Sequence, residues 1–249
     1  MKIKFRGQIG FEIECFTKLK NMNKINALIR QLNWTSDYDG SIGGYNRSTE
    51  TSFEFKSKIY SLDDIKIMLN DVKKVYKLVK VNRSCGLHIH LSFEKLSNYY
   101  KLLCWNFIKQ FETEYNTTFT SEDEQIRKTS HYSKFYETEI NFNMDSQDQL
   151  VHGRNDSKPS SRYHSVNFNA FHRYKTVEFR IFPATNKISK FKKYMTFLLT
   201  NINKFLIKSN FSNIEVSKAQ IKIPNPEEKV IIKEIITKEE VKRLQSEGI

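Results

Sequence analysis

The chain has 249 residues, with 8 Gly, 4 Pro and 3 Cys, which excludes a collagen-like, low-complexity or disulfide-stapled architecture and leaves enough length to bury a full core. The formal net charge of +13 attracts polyanions, but the positive residues are mostly Lys spread along the whole chain, with no compact basic arm. The three cysteines form no CxxC pair, the first sixteen residues lack the apolar run of a signal peptide, and no stretch has transmembrane length, so the expectation is a cytoplasmic protein without membrane contact.

In chain order, residues 3–15 alternate. Ile9, Phe11, Ile13 and Cys15 share one side and Gly10, Glu12 and Glu14 the other, the period of a half-buried strand. A helix is predicted over about 19–32, then a polar loop from Asn33, then a short strand in SFEFKS (52–57). Ser61 and Asp64 have the spacing of a capping-box variant and open a helix whose apolar face is Ile65, Met68, Leu69, Val72, Val75, Tyr76 and Val79. CGLHIHLS (85–92) reads as a strand with Leu87, Ile89 and Leu91 on one face and His88 and His90 on the other. One helix is predicted over 96–113, an irregular polar stretch long enough for a lid over 115–160, and two paired strands in RYHSVNFNAF and KTVEFRIFPAT joined near 172–174. A helix over 189–208 turns Phe191, Tyr194, Leu198, Leu199, Ile202 and Phe205 inward. The division predicted is a domain over 1–210 and an appendage over 211–249, where IPNPEEK is a linker signal and Thr237 and Glu240 again have capping-box spacing. The pattern as a whole predicts an α+β fold with a mainly antiparallel sheet and helices on its apolar side.

Four of these strands carry unusual polar faces: Glu12 and Glu14, Glu54, His88 and His90, and Glu178 with Arg180. Each element alone has a plain reading as a solvated strand face. Together, hard oxygen donors with few imidazoles and no thiols suit Mg²⁺ or Mn²⁺, and arginines beside such a site would neutralise phosphate.

In their order, GFEIE, DGSI, FEFKS, CGLHIHLS, Arg127, RYHSVN and TVEFRIFPAT resemble the amidoligase family, carboxylate–amine ligases related to glutamine synthetase and glutamate–cysteine ligase, over roughly residues 8–186. The resemblance implies a curved antiparallel sheet forming a glutamine-synthetase-like funnel, with metals on its concave face and helices packed on its outer face. It implies Glu12, Glu14, Glu54, His88 and Glu178 as metal ligands, with Glu50 competing for the place of Glu54. His90, Arg127, Arg162, Asn167 and Arg180 would bind the nucleotide, and Arg162 and Arg180 would also act on the transferring phosphoryl group. Asp39, with Asp37 as the competing choice, would recognise the amine or act as base. ATP and Mg²⁺ (or Mn²⁺) are the implied cofactors, and a carboxylate and an amine, a peptide or protein among the candidates, the substrates; the chemistry would run through an acyl phosphate. A metal-dependent hydrolase or nuclease would use the same acids and histidines to activate water, and a non-catalytic nucleic-acid binder would use only the +13 charge. The sequence sets neither substrate nor oligomeric state.

Overall fold

In the computed structural model, residues 3–136 and 160–208 are described. Strand β1 (Gly7–Lys18) runs into helix α1 (Met22–Leu32), followed by β2 (Thr35–Asp37), β3 (Glu50–Lys56), β4 (Tyr60–Ser61), α2 (Ile65–Tyr76) and β5 (Gly86–Phe93). The chain continues through α3 (Leu96–Leu102), α4 (Trp105–Thr118) and α5 (Glu122–Arg127). After the undescribed segment come β6 (Val166–Asn167), α6 (Ala170–Tyr174), β7 (Val177–Pro183) and α7 (Ile188–Lys208). Among the described residues the strands form one seven-stranded sheet, ordered β2-β3-β1-β5-β7-β6 with β4 beside β1, and every strand pair is antiparallel. This is the α+β arrangement that the alternating strands predict.

The period-two pattern sorts the sheet into two faces. Ile9, Phe11 and Ile13 of β1, Leu87, Ile89 and Leu91 of β5, and Val177 and Phe179 of β7 are fully or almost fully buried. They join one core with Ile25 and Ile29 of α1, Met68, Val72 and Val75 of α2, Phe107 and Phe111 of α4, and Phe191 and Leu198 of α7. Phe11 meets Phe191 edge-on at 5.4 Å between centroids, and Phe179 lies 5.3 Å from Phe111. Rings in these geometries add about 0.5–1.5 kcal/mol per pair beyond the area they bury. The helices therefore hold the apolar face and leave the other free for polar groups.

Several elements depart from the sequence expectation. The predicted helix over 96–113 breaks at Leu103 and Cys104, where Cys104 is extended (φ −154°, ψ 153°) and α4 starts afresh at Trp105. Leu102 and Leu103 before the break and Trp105 after it are all buried. The strand expected in RYHSVNFNAF shrinks to Val166–Asn167. Asn167 Oδ1 accepts the Asn169 N–H at 3.0 Å and Phe168 O accepts the Phe171 N–H at 3.0 Å, which turns the chain into α6. Ser61 caps a 3₁₀ turn ahead of α2 by accepting from the Asp63 N–H. The short edge strand β2 lies in the predicted loop after Asn33. Helix α5 lies in the predicted irregular stretch, opened by a capping box between Ser121 and Glu124. The remainder of that stretch after residue 136, and the appendage over 211–249, lie outside the described residues.

Candidate functional site

The polar face of the sheet brings most of the predicted site residues into one strip by register alone. Glu14 pairs with Glu54 across β1 and β3, Glu12 with His88 across β1 and β5, His90 with Glu178 across β5 and β7, and Glu178 with Asn167 across β7 and β6. Between Leu87 and Ile89 the β5–β7 register slips by one, so Arg180 and Ile181 together oppose His88. That bulge keeps both Phe179 and Phe182 on the core side while Arg180 stays beside Glu178.

Directly opposed carboxylates such as Glu14 and Glu54 destabilise a sheet, so the strip is not built for stability. His88, 2% exposed, is its centre. Its Nδ1 lies 3.2 Å from Glu12 Oε2, 3.6 Å from Glu178 Oε1 and 3.9 Å from Glu54 Oε1, and its Nε2 lies 3.3 Å from Glu14 Oε1. His90 Nε2 stands 3.7 Å from Glu12 Oε1 and 3.8 Å from Glu178 Oε1, with Nδ1 at 3.1 Å from the Thr176 hydroxyl. The Nε2 atoms of both histidines are buried and make no hydrogen bond among the described residues. Two sets of donor atoms in the described residues are close enough to share a cation, Glu12–Glu54–His88 and Glu12–His90–Glu178, and Glu12 belongs to both. His90, expected beside phosphates, thus also stands among cation donors.

The charges are tuned by this crowding. Burial pushes the Glu12 carboxyl up, but the neighbouring His88 and His90 imidazoles outweigh it and hold the group far below the ordinary carboxylate range. Burial likewise opposes ionisation of Glu178, and Arg180, His90 and His88 overcome it, leaving it lowered. Glu54 is raised, by burial and then by the Glu12 charge. Burial favours the neutral form of His90, yet Glu12 and Glu178 raise it above the usual imidazole value.

The arginines divide. Arg180 Nη1 donates to Glu178 Oε1 and its Nε donates to Tyr132 O at 2.9 Å. Arg127, 3% exposed on α5, donates from Nη2 to Arg180 O at 2.8 Å, and its buried Nε makes no hydrogen bond among the described residues. Gly86 allows this approach: a Cβ there would lie 2.7 Å from Arg127 Nη2, 3.0 Å from His88 Nε2 and 3.1 Å from Glu14 Oε2, and the Gly86 N–H itself donates to Glu14 Oε2. Asn167 reaches the strip through its Nδ2, which donates to Glu178 Oε2.

Arg162, Asp39 and the two competing choices, Glu50 and Asp37, belong to neither donor set. Arg162 is exposed in a 3₁₀ turn, with its guanidinium 4.6 Å over the Tyr163 ring. The Asp39 carboxylate accepts from the Ser41 N–H and hydroxyl and closes its own turn. Glu50, the rival of Glu54, pairs with Lys80 at 2.7 Å, so Glu54 is the glutamate of β3 that stands with the histidines. Asp37 pairs with Lys56, also at 2.7 Å. Lys56 is a site-face residue that the sequence reading missed, although its spacing two residues after Glu54 was the available signal.

A family model described as "putative amidoligase enzyme" matches residues 6–201. No curated protein and no solved structure matches the chain. Among the described residues, no helix is long and apolar enough to cross a membrane.

Proposed function

This chain belongs to the amidoligase family, and from that premise we propose that it joins a carboxylate to an amine in an ATP- and Mg²⁺-dependent reaction through an acyl phosphate. The observation that carries the proposal is the pair of donor sets sharing Glu12, in which His88 presents Nδ1 to Glu12 and Glu54, and His90 presents to Glu12 and Glu178 a buried Nε2 that makes no hydrogen bond among the described residues. Oxygen-rich donors with one imidazole per set fit Mg²⁺ or Mn²⁺. In this reading Glu12, Glu54 and His88 hold one cation, Glu12, His90 and Glu178 the other, and the polar face is the inside of a glutamine-synthetase-like funnel. When bound, the cations supply charge neutralisation to the phosphate oxygens of ATP.

The chain's own residues do the rest. Arg180 is fixed at both ends, by Glu178 and by Tyr132 O, so its cation is preorganised beside the strip and loses little entropy on meeting a phosphoryl oxygen. Arg127 adds a second guanidinium behind it, too buried to move with the ligand. Asn167 and Arg180 take different oxygens of Glu178 and set its rotation. Thr176 holds His90 through Nδ1 and so directs Nε2 into the strip. These fixed guanidinium groups favour phosphoryl transfer over simple water activation. An ATP-consuming reaction of this kind suits the cytoplasm.

The test is incubation of the full chain with ATP, Mg²⁺ and mixed carboxylates and amines, followed by mass spectrometry. The proposal expects ADP and phosphate to form together with a product equal in mass to acid plus amine minus water. Metal-dependent hydrolysis without any condensation product would replace it with a hydrolase.

A further inference from the structure

Lys56 lies two residues beyond Glu54 on β3, so both point to the polar face, and it sits opposite Glu12 in the β1–β3 register. Its ammonium is 3.2 Å from Glu54 Oε2 and 2.7 Å from Asp37 Oδ2. The other Glu54 oxygen, Oε1, is the one turned toward His88 Nδ1. The two oxygens of Glu54 are thereby divided, one toward the histidine and one toward the lysine. Asp37 comes from the edge strand β2, opposite Glu54 in register, and its side chain is 64% exposed against 21% for Glu54. The shorter contact to Asp37 draws the ammonium outward, away from His88. Simple neutralisation of the crowded carboxylates would not need a second acid to hold the lysine off.

We propose that Lys56 is a positioning residue that reserves a single oxygen of Glu54 for the cation of the Glu12–Glu54–His88 set, with Asp37 setting how strongly it does so. The pair tempers the affinity of that set and keeps Glu54 from closing around the ion, which leaves room on the ion for substrate oxygens. This rests on the metal-binding reading above.

Mn²⁺ titration of the full-length protein, followed by electron paramagnetic resonance and water-proton relaxation, tests it. Removing the unit positive charge that contacts Glu54, a carboxylate only 21% exposed, strengthens binding of a divalent ion by about tenfold or more even at the dielectric of water. Lys56→Met is therefore expected to bind Mn²⁺ at least that much more tightly and to show fewer exchangeable waters per ion. Asp37→Asn, which leaves Lys56 to Glu54 alone, is expected to bind Mn²⁺ more weakly, and Lys56→Arg to behave as the wild type. A merely structural role would weaken binding in both Lys56→Met and Asp37→Asn, and that result, or unchanged affinity and water count in Lys56→Met, overturns the proposal. Absence of Mn²⁺ binding by the wild type would instead refute the metal reading on which the proposal stands.

Discussion

Gly86→Ala places a methyl carbon where Arg127 Nη2, His88 Nε2 and Glu14 Oε2 already stand at 2.7, 3.0 and 3.1 Å. Two of these atoms end long side chains, which at an open surface would swing aside. Here Arg127 is 3% exposed and tied to Arg180 O, Glu14 is held between the Gly86 N–H and His88 Nε2, and His88 is 2% exposed among carboxylates, so none of the three has room. Overpacking of this kind costs about 1–3 kcal/mol, and the confinement of Arg127 puts the expected value in the upper half of that range. For a domain of this size that lowers the melting temperature by roughly 4–12 °C, taking about 2–4 °C per kcal/mol. Because the displaced atoms belong to the site, Mn²⁺ affinity should fall as well. Thermal unfolding and Mn²⁺ titration of the same preparations measure both effects. Wild-type stability together with wild-type Mn²⁺ affinity would refute the packing argument.

Glu12→Gln removes the donor common to both sets and should abolish metal-dependent ATP turnover, whereas Glu54→Gln should leave one set intact and retain part of the metal binding; equal residual binding in the two variants would contradict the shared-ligand geometry. In the metal-free protein, Glu12 and Glu178 are lowered by folding, so the stability they contribute is present above the unfolded carboxylate value of roughly 4.3 and is lost as pH falls through their folded values. Glu54 is raised and works the other way, regaining stability as it protonates. Urea unfolding across acid pH should thus show a steeper loss for the wild type than for Glu12→Gln, and identical profiles would count against it. Ser121→Ala removes the capping box that opens α5 and should cost about 1 kcal/mol in denaturant unfolding; no change would show that α5 is held by its packing alone.

The strands that carry the site were legible because each has one apolar and one polar face, and period two needs no tertiary information to read. CGLHIHLS emerges as β5 with Leu87, Ile89 and Leu91 in the core and both imidazoles on the opposite face. What a single strand could not supply was register, which decides that Glu12 meets His88 and that His90 meets Glu178. Arg162 and Asp39 illustrate the same limit from the other side. Both sit in turns, where local hydrogen bonds and ring stacking set the side-chain direction and no periodicity reports it. The break between α3 and α4 was hidden because a stripe of apolar residues continues through it, and the burial of Leu102, Leu103 and Trp105 appears only when the helices pack. Helix α5 was readable in principle from Ser121-Glu122-Asp123-Glu124, but six residues give too little apolar pattern to stand out.

We propose that the polar face of the sheet is a two-cation site built around Glu12. Equilibrium titration of the full chain with Mn²⁺, in the presence of a non-hydrolysable ATP analogue, tests it most directly. Two ions bound per chain in the wild type, with loss of both in Glu12→Gln, is the predicted result. No saturable binding, or binding that survives unchanged in Glu12→Gln, would contradict it.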